Sequence, residues 1–213
     1  MYIPKHFDEP RIDVLHALVR ARPLSTLVTL SSAGGLDANH IPLHLSDDPA
    51  PLGTLRGHVA RANPLWRDLA QGAGVLAIFQ GPNAYVTPSW YPTKAETGKA
   101  VPTWNYAVVH AHGALRVIDD AVWLRAHLEA LTAHNEAAFS EPWHVSDAPG
   151  EYTNKLLEAI VGIEITITRL SGKWKVSQNQ PERNRAGVVR GLGARGSDEA
   201  REMADLVERG GVH

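Results

Sequence analysis

The chain contains no cysteine among its 213 residues. Disulfide bonds, thiolate metal sites and a cysteine nucleophile are therefore excluded. No apolar run approaches the roughly 18 residues of a membrane-spanning helix, and residues 1–6 lack the apolar stretch of a secretory signal. We therefore expect a cytoplasmic protein without a membrane segment.

An excess of basic charge is also missing, because the formal net charge is −2. Proteins whose main work is to grip DNA usually carry a basic excess, since neutralised phosphates supply most of the non-specific affinity. Four arginines cluster near the C-terminus, at Arg183, Arg185, Arg190 and Arg195. They could contact DNA, but the composition favours a solvated helix face.

Sequence motifs of several enzyme classes are absent. There is no GxSxG, no GxxxxGK[ST] and no GxGxxG after a predicted strand, so serine hydrolase, P-loop and Rossmann functions have no support. Eleven histidines are present, including His110 and His112 on one strand face. Because no acidic partner stands at a diagnostic spacing, we predict no metal site.

Hydrophobic alternation predicts about eight strands, joined mostly by hairpins and accompanied by short helices. Strands are expected at 25–31, 36–45, 52–59, 75–80, 84–91, 103–118, 162–170 and 173–179, with tight turns at 81–83 and 171–172. Asp119 or Asp120 should cap the longest helix, and Ser197 should cap the last one. This pattern favours a mainly β, antiparallel barrel with peripheral helices over a parallel doubly wound sheet.

The stretch 85–106, YVTPSWYPTKAETGKAVPTWNY, holds two aromatic clusters, Trp90-Tyr91 and Trp104-Asn105-Tyr106. Each cluster follows a proline and a hydroxyl residue, and proline cannot donate to a central sheet ladder. Large aromatic side chains beside irregular backbone suit the wall of a pocket for a flat ligand with polar edges. A hairpin whose aromatic side chains fill the core is the alternative.

Two further segments could contact an anion. The passage 55–64, LRGHVARANP, predicts a helix that begins at Asn63-Pro64, with His58 and Arg61 close to its free N–H groups. An ordinary helix cap with a solvated arginine is the alternative. In the run 173–179, KWKVSQN, Lys175 could hold an anionic group or lie on a solvent-exposed strand face.

Because these segments occur together and in order, the chain resembles the PaiB family, described as FMN-binding negative transcriptional regulators. The matching runs are MYIPKHF (1–7), ANHIPL (38–43), GHVARANP (57–64), YVTPSWYP (85–92), VPTWNY (101–106), KVSQN (175–179) and GVVRGL (187–192). The resemblance implies an antiparallel FMN-binding split β-barrel, similar in fold to pyridoxamine phosphate oxidases. It also implies a homodimer with FMN at the subunit interface.

The resemblance further implies roles for particular residues. The FMN phosphate would be held by His58, Arg61 and Asn63. The ring or ribityl chain would be lined by Ser89, Trp90 and Tyr91. The site would be closed, from the second subunit, by Thr103, Trp104, Asn105 and Tyr106. Further candidates for cofactor binding are Lys94 and Lys175.

We therefore expect one domain, with the split barrel over 1–195 and a C-terminal helical appendage over 196–213. The expected function is that of an FMN-binding, PaiB-type negative transcriptional regulator that acts on DNA directly or indirectly. The alternatives are a flavin-dependent oxidoreductase related to pyridoxamine phosphate oxidases, or a haem-handling split-barrel protein. No residue pattern demands catalysis, so the sequence leaves open whether the protein is an enzyme.

Overall fold

The computed structural model describes residues 1–31, 34–69 and 72–210. The chain forms two compact units. Unit 1 comprises Met1–Leu18, Gln80–His110 and Ser171–His213, and unit 2 comprises Val19–Phe79 and Ala111–Leu170. Among the helices in the described ranges, none combines the length and the apolar character needed to cross a membrane.

The eight strands belong to one antiparallel sheet. They are β1 (Asp8–Glu9), β2 (Leu24–Leu30), β3 (Leu36–Pro42), β4 (His44–Ser46), β5 (Thr54–Ala60), β6 (Ala73–Val86), β7 (Thr103–Ile118) and β8 (Ile160–Lys175). The helices are α1 (Ile12–Ala21), α2 (Leu65–Asp68), α3 (Pro92–Thr97), α4 (Ala121–Glu136), α5 (Gly150–Glu158), α6 (Glu182–Gly193) and α7 (Asp198–Glu208). The predicted sheet with peripheral helices is therefore present.

The strand order of the sheet is β3-β2-β6-β7-β8-β5-β4, and β1 pairs with β8. In unit 2, β2 pairs with β3 from Leu24↔Pro42 to Leu30↔Leu36, and β5 pairs with β8 from Thr54↔Thr166 to Ala60↔Ile160. Alternate strand positions point inward. The large, fully buried side chains of the unit 2 strands include Leu27 of β2, Leu55 of β5, Phe79 of β6, and Ile163 and Ile165 of β8.

Unit 1 is built around the pairing of β1 with β8 and the packing of α6 against α7. β1 and β8 pair at Asp8↔Lys173 and Glu9↔Gly172. Helix α6 contacts α3, α7 and the short 3-10 turn Pro88–Trp90. The apolar side chains that α6 and α7 bury are Val188, Leu192, Met203 and Val207.

The tight turns predicted at 81–83 and 171–172 are wrong, because β6 and β8 run through both positions. Instead of forming turns, Gly81 and Gly172 allow neighbouring residues to pack closely against the strands. A Cβ at Gly81 would lie 2.8 Å from Leu18 Cδ1 and 3.1 Å from Ala107 O. A Cβ at Gly172 would lie 2.2 Å from Leu15 Cδ2. Each glycine therefore gives a neighbouring element the space to approach the strand.

Both predicted helix caps are confirmed. Asp120 Oδ1 accepts a hydrogen bond from Trp123 N at 2.7 Å at the start of α4, and Ser197 Oγ accepts one from Ala200 N at 3.3 Å at the start of α7. The helix predicted after Asn63 is only the single turn α2. Residues 211–213 of the predicted appendage lie outside the described residues.

Candidate functional site

The aromatic stretch 85–106 in unit 1 forms the end of β6, the 3-10 turn, helix α3 and the start of β7. Thr87 caps the turn, since its Oγ1 accepts a hydrogen bond from Ser89 N at 3.3 Å. Pro88 and Pro92 stand in the first turns of their helices, where a missing N–H breaks no helical hydrogen bond. This local structure leaves Ser89, and Lys94 on α3, exposed.

The first aromatic cluster packs against helix α6. A Cβ at Gly191 would lie 2.3 Å from two atoms of the Trp90 ring, and one at Gly187 would lie 2.0 Å from Trp90 O. Only glycine allows the helix to approach so closely. Tyr91 is 6% exposed, and burial raises the pKa of its phenol. Both aromatic side chains thus have packing roles, and their contact with a cofactor stays a prediction.

Within the second aromatic cluster, the Trp104 side chain is open to solvent, and the neighbouring Tyr85 is exposed as well. Trp104 is 51% exposed and Tyr85 is 43% exposed, and their rings meet edge to face with centroids 6.0 Å apart. Trp104 Nε1 donates to Asn83 Oδ1 at 2.9 Å, which fixes the orientation of the indole. Aromatic faces of this size are good surfaces for stacking a flat ligand. Sequence analysis missed Asn83 and Tyr85, although strand alternation places both on one face of β6.

Lys175 brings a positive charge to the same place. Its Nζ donates to Thr103 Oγ1 and, at 2.9 Å, to Trp104 O. Both acceptors are neutral oxygens, so they orient the ammonium group and leave its charge available to a ligand. Burial lowers the pKa of Lys175. The structure therefore brings together three of the predicted residues, Thr103, Trp104 and Lys175.

The remaining predicted residues of β7, Asn105 and Tyr106, contact residues at the end of β8 and just after it. Asn105 is buried, and its Nδ2 donates to Ser177 Oγ at 2.9 Å. Ser177 adopts the left-handed region with a φ of 64°. The Tyr106 ring lies under the ammonium group of Lys173, which is 5.3 Å from the ring centroid. Asn105 and Tyr106 thus join the start of β7 to the end of β8 and the residues that follow it.

The predicted phosphate ligands lie in unit 2, at the end of β5. His58 Nδ1 is 3.2 Å from His127 Nε2, and burial lowers the pKa of His58, so its ring is neutral at pH 7. Asn63 Oδ1 accepts a hydrogen bond from Leu65 N at 2.9 Å, as predicted for a cap, while its Nδ2 donates to Asn39 Oδ1 at 2.9 Å. The side chains of His58 and Asn63 therefore have protein partners.

Arg61 is held by a set of oxygen atoms. Its NH1 and NH2 donate to the two carboxylate oxygens of Asp119 at 2.8 and 2.6 Å. Its Nε donates to Glu158 O at 2.7 Å, and NH2 also donates to Ile160 O at 3.0 Å. The hydrogen bond from Arg61 lowers the pKa of Asp119. A phosphate at Arg61 would compete with Asp119, and the phosphate role of these residues stays a prediction.

Comparison with protein families gives a match over residues 1–169 to a family described as "Putative FMN-binding domain". The chain belongs to this family. Its cofactor is accordingly FMN, as the resemblance predicted. The matched residues include β1 to β7, α1 to α5 and most of β8.

Curated relatives match nearly the whole chain, and two of them follow. "Uncharacterized protein AN0679" of Emericella nidulans is 37% identical over 245 residues, which cover 99% of this chain and 98% of the relative. "Protease synthase and sporulation protein PAI 2" of Bacillus subtilis is 32% identical over 213 residues, which cover 98% of this chain and 97% of the relative. The predicted membership in the PaiB family is therefore confirmed.

A solved structure supports the fold class. The "FAD and Heme binding protein from Mycobacterium smegmatis" superposes with a TM-score of 0.60 at 20% sequence identity, covering 79% of this chain and 73% of that chain. At this identity the likeness concerns the fold alone. The predicted antiparallel split β-barrel with peripheral helices is confirmed.

The donor set of unit 1 fits FMN. We call Tyr85, Thr103, Trp104 and Lys175 the aromatic–lysine cluster. Its exposed ring faces suit an isoalloxazine, its hydroxyl suits a polar edge, and its ammonium group suits an electron-rich or anionic group. By contrast, the side chains of Arg61 and Asn63 in unit 2 form the hydrogen bonds described above with other residues of the protein.

Proposed function

We propose that the aromatic–lysine cluster of unit 1 binds FMN in a cytoplasmic homodimer, and that the protein acts as a negative transcriptional regulator. The observation that carries the proposal is the position of Lys175. Its ammonium group is held at the start of β7 by two neutral acceptors, the Thr103 hydroxyl and the Trp104 backbone carbonyl, and the Trp104 side chain is exposed. A flat, electron-rich ligand bound at this end of β7 would have a stacking surface and a cation available from neighbouring residues.

FMN, when bound, supplies one- and two-electron redox chemistry. The residues of the cluster would bind and tune it. Trp104 would stack on the ring, because its indole is fixed by Asn83 and half of its surface is open. Lys175 would stabilise negative charge on the polar edge of the ring, which favours the reduced cofactor. The further cofactor contacts that we propose in unit 1 are the predicted residues Ser89, Trp90, Tyr91, Lys94, Asn105 and Tyr106. The role of the unit 2 residues His58, Arg61 and Asn63 at the FMN phosphate stays a prediction from the resemblance.

The formal net charge of −2 over the whole chain favours indirect regulation over direct DNA binding. The relative of Bacillus subtilis is named a protease synthase and sporulation protein, which supports a regulatory role. In the arginine cluster near the C-terminus, Arg183 makes a two-pronged ion pair with Glu96 at 2.6 and 2.7 Å. This cation is therefore neutralised within the protein. We propose that the flavin state acts through metabolism or a partner protein, and a gel shift that persists at physiological salt would contradict this route.

The flavin site is tested with Lys175→Met, which keeps the length of the side chain and removes the ammonium group. We expect FMN to bind about 10- to 100-fold more weakly, since a hydrogen bond from a charged group is lost. Lys99→Met, at an exposed position of the same stretch, is the matched control and should leave the affinity unchanged. Titration of flavin fluorescence measures both, and equal affinity in the two variants would refute the site.

Oxidoreductase activity is the second candidate, and Lys175 favours it because a cation beside the flavin assists reduction. Turnover of NAD(P)H with an electron acceptor, lost in Lys175→Met at saturating FMN, would establish an enzyme. Reduction without turnover supports a redox-responsive regulator.

An equilibrium mass measured with and without FMN tests the proposed homodimer, and a monomer under both conditions would contradict it.

A further inference from the structure

A second polar site lies in unit 2. None of its residues belongs to the aromatic–lysine cluster, which lies in unit 1. The strand register aligns His44 of β4, Arg56 of β5 and Glu164 of β8 in one cross-strand row. Residues directly opposite in neighbouring strands share a face of the sheet. In the next row, His58 stands opposite Gly162.

Helix α4 covers this face. A Cβ at Gly162 would lie 2.5 Å from the Trp123 ring, so the glycine creates the space that Trp123 fills. The Trp123 ring in turn stacks on His127, with centroids 5.3 Å apart and planes 19° apart. Between the helix and the strands lies a cavity of about 140 Å³. The polar side chains that line it are His44, Ser46, Arg56 and His127.

These side chains hold unused hydrogen-bonding capacity. His127 is 3% exposed; its Nε2 faces His58 Nδ1 at 3.2 Å, and its Nδ1 is buried without a hydrogen-bond partner in the described part of the chain. Buried polar atoms are normally paired. His44 has a ring contact with His134, with the ring centroids 5.7 Å apart. The cavity therefore offers several donors to one small ligand.

The charge around the cavity is positive. Arg56 Nε donates to Glu164 Oε2 at 3.0 Å, and Arg116 NH2 donates to Glu164 Oε1 at 2.7 Å. One carboxylate thus serves two guanidinium groups, so the three side chains together carry a net positive charge. The same field acts on His44, whose pKa is lowered by burial and also by His134, Arg56 and Arg20.

A metal ion does not explain the cavity, because the described residues contain no group of three or more metal-binding side chains. The cavity is larger than one water needs, since a water requires roughly 10–15 Å³ of cavity volume. Guanidinium and imidazole N–H groups match the oxygen atoms of phosphate and carboxylate groups.

We propose that this cavity binds a small oxyanion, held by Arg56, His44, Ser46 and His127. In this arrangement His127 Nδ1–H donates to the anion, and its Nε2 accepts a hydrogen bond from His58 Nδ1–H. The anion thereby supplies the partner that His127 Nδ1 lacks and fixes the tautomers of both histidines. The inference does not depend on the proposed flavin site, because none of the anion's contacts belongs to the aromatic–lysine cluster.

Binding is tested by calorimetric titration of the FMN-saturated protein with inorganic phosphate, against chloride at equal ionic strength. We expect saturable binding of phosphate. Arg56→Met should weaken it at least about tenfold, because a charged donor is removed. Arg116→Met removes the other guanidinium bound to Glu164 and does not line the cavity. It should change the affinity less than about threefold.

Ala130→Leu provides a second, independent variant. Ala130 lines the cavity on the exposed side of α4, so leucine fills the space without changing the charge. It should abolish phosphate binding while FMN affinity and the unfolding midpoint stay unchanged. Acetate titration separates the two sources of oxyanion: binding of acetate assigns a carboxylate ligand, and binding of phosphate alone assigns a tetrahedral one. Absence of saturable binding to both, or wild-type affinity in Arg56→Met and Ala130→Leu, would overturn the proposal.

Discussion

Acidification should destabilise the protein through His127. Burial, reinforced by the charges of His58, His44 and Arg56, lowers the pKa of His127 from its ordinary 6.5 to about 4. Above pH 6.5 the imidazole is neutral in the folded and the unfolded chain, so it has no effect on stability. Below pH 6.5 the unfolded chain binds a proton that the folded chain excludes, so the free energy of unfolding falls as the pH falls.

The size of the effect follows from the two pKa values. The gap between 6.5 and about 4 corresponds to about 3 kcal/mol, lost progressively until the folded-state pKa is reached. This is a large share of the roughly 5–15 kcal/mol by which domains are stable. His58 has a lowered pKa for the same reason, burial, and contributes with the same sign.

The assay is urea unfolding at a series of pH values between 6.5 and 4, in wild type and in His127→Gln. The amide of glutamine cannot be protonated in this range, so the variant should lose clearly less stability on acidification, whatever its stability at neutral pH. His134→Gln, at an exposed position of the same helix, is the control and should follow wild type. An acid-induced loss in His127→Gln as steep as in wild type would refute the reasoning.

Three further predictions concern packing and backbone conformation in unit 1. Gly191→Ala should destabilise the protein by about 1–3 kcal/mol, because the new Cβ would lie 2.3 Å from the Trp90 ring. Gly193→Ala is the control. Its Cβ would meet nothing within 4 Å, so it should stabilise α6 by up to about 1 kcal/mol. Urea unfolding decides between them, and a stabilised Gly191→Ala would contradict the packing. Asn105→Ala leaves the buried Ser177 hydroxyl unpaired and should cost about 1–3 kcal/mol. Ser177→Gly should cost less than Ser177→Ala, since glycine accepts the φ of 64° without strain, and the reverse order in thermal unfolding would contradict this.

The elements that could be predicted are those whose signals are local. Alternation over sixteen residues gave both bounds of β7, and the side-chain caps at Asp120 and Ser197 gave the starts of α4 and α7. The errors came from residues whose meaning depends on their neighbours. Pro82 suggested a turn, but the pairing of β6 with β2 covers only Leu76–Ile78. Beyond that pairing, a proline removes no hydrogen bond of the β2 ladder.

The candidate flavin site could be predicted in part for the same reason. Thr103 and Trp104 lie in one short run, and Lys175 lies in a second run, KVSQN at 175–179, on which the resemblance was based. Tyr85 and Asn83 were missed, because their relevance depends on where the Trp104 ring turns and which acceptor its Nε1 reaches. The packing of Trp90 on Gly191 is equally invisible in sequence, since 101 positions separate the two residues.

A site such as the oxyanion cavity is difficult to predict from the sequence. The charges of its residues nevertheless depend on one another. His44 and Arg56 stand directly opposite each other, and two cations in that position would repel. The row is tolerated because His44 is neutral and because Glu164 balances Arg56 from the other side. Because Arg116 also donates to Glu164, two guanidinium groups share one carboxylate, and the net charge at this place is positive. A small anion is then the component that would satisfy the donors, offset the charge and pair the buried nitrogen of His127 in a single step.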